Sequence, residues 1–85
     1  MPAERVAVYI SSARGQYIVN LNATSSKDAM QQAVEFFMMD WWRGSRPRVG
    51  MVLRIKFLYA SRPDIRMRVT QEMMDTARTK KRWPR

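Results

Sequence analysis

The side chains with the clearest chemical potential are basic ones spaced two apart. Arg54 and Lys56, and later Arg66 and Arg68, sit within runs that alternate polar and apolar residues. Guanidinium and ammonium groups so placed offer charge-assisted hydrogen bonds, the chemistry that grips phosphate oxygens or carboxylates. More cations flank the two runs: Arg46 and Arg48 before them, then Arg78, Lys80, Lys81 and Arg82 after them, with Trp83 alongside. An aromatic ring among cations adds a surface on which a base can stack.

Other chemistry is poorly provided. The 85 residues contain no His and no Cys. That removes disulfides, Cys/His zinc sites, thiol nucleophiles and every His-based acid–base mechanism. Asp28 and Glu35 share a helical face, but at i and i+7 they stand about 10 Å apart. The three glycines are scattered at turns, so no Gly-rich phosphate loop exists, and clustered carboxylates for a metal are missing. The expectation is a non-enzyme with no catalytic residue, no metal site and no cofactor.

Charge distribution narrows the partner. Residues 1–42 carry three basic against four acidic residues, net −1, whereas residues 43–85 carry thirteen against three, net +10. The whole basic excess lies in the second half, which points to a polyanion: nucleic acid first, DNA or RNA, with an acidic protein surface as the alternative.

The elements that must position these groups can be read from hydrophobic period. Residues 5–11 alternate, with Val6, Val8 and Ile10 on one face and Arg5, Ala7, Tyr9 and Ser11 on the other, as in a strand. Ser12 to Gly15 reads as a tight turn, and 16–22 as a second strand with Tyr17, Val19 and Leu21 inward. Ser25 and Asp28 form a capping-box pattern that opens a helix expected to run to about Arg43 and stop at Gly44. At about 100° per residue, Ala29, Met30, Ala33, Val34, Phe37 and Trp41 form its apolar stripe, with Met39 and Trp42 on the polar side.

Pro47 keeps residues 44–48 a non-helical basic loop. A strand is then expected over 49–59, with Met51, Leu53, Ile55, Phe57 and Tyr59 inward and Arg54 and Lys56 outward. After a turn at Ser61–Asp64, residues 65–69 alternate again with Arg66 and Arg68 outward, and Thr70 caps a short helix over 71–81. The fold class is α+β: a β-hairpin–helix–β-hairpin (ββαββ), four antiparallel strands with the main helix on one face, plus a short C-terminal helix. Residues 1–81 read as one domain and 82–85 as a flexible basic tail.

On this arrangement Arg54, Lys56, Arg66 and Arg68 share one outward face free of acidic residues, with Lys56 opposite Arg66 or Arg68. Like charges across a ladder are destabilising unless phosphates lie along them, and a basic two-stranded ribbon suits a DNA groove or backbone. Tyr9 on the same face is a candidate stacking platform. The plainer explanation is a solvated sheet face that blunts edge pairing. Ile18, Val52 and Leu58 share that face, so the C-terminal helix, with its stripe of Met73, Met74 and Ala77, is a rival occupant.

Two function classes follow. The first is a small nucleic-acid-binding module that contacts phosphates through Arg46, Arg48, Arg54, Lys56, Arg66, Arg68 and the segment from Arg78 to Trp83. With about six phosphate contacts its affinity falls on the order of a thousandfold between 50 and 200 mM salt. The second is a protein-binding inhibitor or adaptor, of phage or plasmid type, that docks on an acidic groove of a larger complex with Met39 and Trp42 as apolar anchors. RNA-recognition proteins also use an open four-stranded sheet, but they need two βαβ units and an aromatic signature that this chain lacks. No segment has the length or composition of a signal peptide or membrane span, so a cytoplasmic location is expected. A homodimer through the edge of the 49–59 strand is a further possibility.

Overall fold

The computed structural model describes residues 2–81, with Lys80 and Lys81 described through their backbone alone. The elements run β1 (Glu4–Ser12), β2 (Gly15–Ala23), α1 (Ser26–Phe37), β3 (Val52–Phe57), β4 (Ile65–Arg68) and α2 (Gln71–Lys81). The four strands form one antiparallel sheet in the order β2-β1-β3-β4. The expected α+β class and the ββαββ order are therefore present. The expected tail, 82–85, lies outside the described residues.

Alternation puts Val6, Val8, Ile10, Val19, Leu53, Ile55 and Phe57 on the inner face of the sheet, where they form one core with Ala29, Met30, Ala33, Val34 and Phe37 of α1. Met73, Met74 and Ala77 of α2 join that same core, and Gln31 donates to the Met73 carbonyl at 3.1 Å, tying the two helices together. Both helices thus lie on the inner side, and α2 does not cover the cationic face. Two buried methionines contribute roughly 3–6 kcal/mol of gross burial there. A sheet face rich in guanidinium groups could not match that.

Ser25 caps α1 by accepting from the Asp28 amide at 3.0 Å; the Asp28 carboxylate returns its bond to the Thr24 amide at 2.9 Å, one residue before the expected partner. Thr70 caps α2 by accepting from the Met73 amide. Each cap satisfies an amide that has no partner within the helix.

Three boundaries differ from expectation. α1 ends at Phe37 rather than near Arg43: the Met39 amide bonds back to Phe36, and the Trp42 amide to Met39, three residues each. No basic residue supports the last turn and Asp40 would oppose the helix dipole if the helix went on. The turn carries Trp42 inward, against Tyr17, Phe36 and Phe37 at centroid distances of 5.4, 5.6 and 5.3 Å, and leaves Trp41 59% exposed. The expected roles of the two tryptophans are exchanged.

β3 spans only 52–57. Gly50 takes φ +92°, a conformation that a strand cannot use, and Tyr59 leaves the sheet and is 88% exposed. β3 is also interior, paired with β1 on one side and β4 on the other, so it offers no edge for a second copy. The exposed edges belong to β2 and β4.

Candidate nucleic-acid interface

The outer face of the sheet can be built row by row from the strand registers. Ile18, Tyr9, Arg54 and Arg66 lie side by side across all four strands. Asn20, Ala7 and Lys56 form the next row, and Val52 faces Arg68 in a third. Arg5 lies on the same face by parity, opposite Asn22. Arg54, Lys56, Arg66 and Arg68 are accordingly displayed together.

The register corrects one detail. The cation directly opposite Arg66 is Arg54, while Lys56 faces Ala7 on β1 and neither arginine of β4. The face is also not devoid of acid: Asp64 approaches Arg54 Nε at 3.7 Å. Among the described residues that leaves five cations against one carboxylate. Neighbouring strands lie about 4.8 Å apart and alternate residues on a strand about 6.7 Å apart, so the positive charge forms a patch rather than a line.

Tyr9 is present on this face but its ring is not bare. The Arg54 guanidinium stacks over it at 4.4 Å from the centroid, a cation–π contact. Beside the pair lies a concavity of about 200 Å³ lined by Tyr9, Ser11, Gln16, Val52, Arg54 and Arg66. A base entering it would meet the phenol edge and the guanidinium together.

The basic hairpin is not a free-standing ribbon, because β3 is held on its other side by β1. Four strands span about 14 Å between the outermost chains, more than the roughly 12 Å width of the DNA major groove. The sheet suits an extended strand laid across it better than insertion into a groove.

The remaining sequence-derived residues are dispersed. Arg46 donates to the Phe37 carbonyl at 3.3 Å and to the Trp42 carbonyl at 2.5 Å, closing the C-terminal end of α1. Its charge is therefore engaged in a structural role. Arg48 lies in the same loop and reaches the cleft described below. Arg78 pairs with Asp75 at 3.3 Å on α2, in the helical layer away from the sheet's outer face. Lys80 and Lys81 continue that helix, and Arg82 and Trp83 lie outside the described residues. Met39 is exposed, as expected of an anchor, but Trp42 is half-buried in an aromatic cluster; Trp41 is the tryptophan at the surface.

Sequence reasoning passed over Arg5, although its outward parity in β1 marked it. It also passed over Arg14 and Arg43, which only the tertiary approach of two loops brings together. No helix among the described residues is long and apolar enough to cross a membrane. No family model, curated protein or solved structure matches the chain, so the reading rests on the geometry above.

Proposed function

We propose that this chain is a small nucleic-acid-binding protein without catalytic activity, which lays a single strand across the outer face of its sheet. The observation that carries the reading is the direct opposition of Arg54 and Arg66 on a face that no described element covers and that also holds Arg5, Lys56 and Arg68. Like charges across a ladder lower stability, and phosphate oxygens between them convert that cost into binding. Contacts of this kind position a backbone without reading its sequence, so binding is weakly specific and strongly salt-dependent.

The reading is tested by replacing Arg54, Lys56, Arg66 and Arg68 with Glu and measuring binding to unrelated DNA and RNA oligonucleotides. Loss of binding supports it, and undiminished binding refutes it. A second reading, docking on an acidic protein surface, draws support from Met39 and Trp41, both exposed and two residues apart in the chain. Under it Trp41→Ala is the damaging change and oligonucleotide affinity is negligible at physiological salt.

A further inference from the structure

A large concavity lies on the inner side of one end of the sheet, where the β1–β2 turn meets the loop that follows α1. It measures about 740 Å³ and is lined by Arg14, Arg43, Arg46 and Arg48, with Trp42 and Met51 among its apolar walls. No carboxylate among the described residues lines it. Among the described residues, Arg14, Arg43 and Arg48 take part in no ion pair. Three guanidinium groups lining one half-enclosed space without a counter-charge, beside Arg46 held on backbone carbonyls, produce a positive potential that favours an anion.

The frame that holds them is well braced. The hydroxyls of Ser12 and Ser45 hydrogen-bond to each other, linking the end of β1 to the loop after α1. Trp42 Nε1 donates to the Ser45 carbonyl at 2.8 Å. Gly44 passes so close over the aromatic cluster that a Cβ there would stand 2.4 Å from the Trp42 ring and 3.0 Å from Tyr17, so only glycine lets the loop lie this flat. Arg46 is anchored to the Phe37 carbonyl at the end of α1 and to the Trp42 carbonyl beyond it, which offsets the negative end of that helix. A loop fixed at four points presents its arginines with little ordering left to do on binding.

We propose that this cleft binds a nucleotide through its phosphomonoester. Charge sets the anion: a doubly charged monoester gains more from Arg14, Arg43 and Arg48 than a singly charged diester does. Size and walls set the rest, since the volume falls within the roughly 300–1,000 Å³ typical of small-ligand sites and Trp42 and Met51 give a base an apolar surface. The ligand has two possible sources, a free nucleotide or the phosphorylated end of a strand. The second rests on the nucleic-acid reading above, and the positions allow it. Ser12 and Met51 line the cleft while their neighbours Ser11 and Val52 line the concavity on the outer face, so one end of the sheet separates the two.

Calorimetric titration of the full chain with AMP and adenosine, and with hexanucleotides bearing a 5′-phosphate, a 3′-phosphate or neither, tests the proposal. AMP is expected to bind at 50 mM salt and adenosine not. Arg14→Glu with Arg43→Glu should weaken AMP binding at least tenfold, and Arg14→Gln by a smaller factor, with the fold verified by circular dichroism. A roughly tenfold preference for one phosphorylated end identifies the strand as source, and equal hexamer affinities with AMP still bound identify the free nucleotide. Absence of AMP binding, equal binding of adenosine, or AMP binding untouched by both variants overturns the proposal. Arg54→Glu with Arg66→Glu should leave AMP affinity within about threefold, so failure of the sheet-face reading is recognised separately, by hexamer binding that survives that variant.

Discussion

Replacing Arg66 by Glu should raise the stability of the protein and lower its affinity for nucleic acid at once. Arg66 faces Arg54 directly in the β3–β4 ladder, and Asp64, 3.7 Å from Arg54, relieves only part of the repulsion. Cross-strand charge pairs are worth about 0.2–1 kcal/mol in either direction, and solvent-exposed ones lie toward the low end. Turning a like pair into an opposite one should therefore gain about 0.5–1 kcal/mol. For a chain of 85 residues that raises Tm by about 2–8 °C.

The same substitution takes one cation from five on the face and adds an anion. On a single strand the slope of log K against log salt should flatten from about −3.5 to about −2.1. Between 50 and 200 mM salt the wild type then loses roughly a hundredfold in affinity and the variant roughly twentyfold. Scanning calorimetry and fluorescence anisotropy with a labelled oligothymidylate read the two effects. A Tm that falls by several degrees would mean that Arg66 makes stabilising contacts of its own. Unchanged affinity would mean that nucleic acid does not lie on this face. Either result refutes the reasoning.

The aromatic cluster gives a contrast between neighbours: Trp42→Ala should cost about 2–4 kcal/mol in a guanidinium melt, because its ring packs on Tyr17, Phe36 and Phe37. Trp41→Ala should cost under about 1 kcal/mol and leave oligonucleotide affinity unchanged, since that ring is largely in solvent. Arg46→Ala leaves the Phe37 and Trp42 carbonyls without their donor, so thermal melts should show a loss of about 1–2 kcal/mol. Arg48→Ala, in the same loop, should leave Tm within about 2 °C.

Local signals made most of the fold legible. The period-2 runs at 5–11 and 65–69, Ser25 and Thr70 as caps, and the parity of Arg54, Lys56, Arg66 and Arg68 all reappear in the structure. What the chain did not disclose depends on contacts between distant segments. The end of α1 was set by Trp42 reaching Tyr17 on β2, a pairing that outweighs a helical pattern continuing to Arg43. The interior position of β3 follows from its pairing with β1, forty-odd residues away, so an edge could not be assigned from its length. The arginine cleft needs the β1–β2 turn and the loop after α1 side by side, and neither segment alone marks Arg14 or Arg43 as special.

The central claim is that the cationic groups of the outer sheet face hold a nucleic-acid backbone. It is tested most directly by a salt titration of binding to unrelated single-stranded DNA and RNA, comparing wild type with the variant carrying Glu at 54, 56, 66 and 68. The account predicts a wild-type slope near −3.5 on both polymers and no measurable binding by the variant at 50 mM salt. A slope near zero, or a variant that binds as the wild type does, would contradict it.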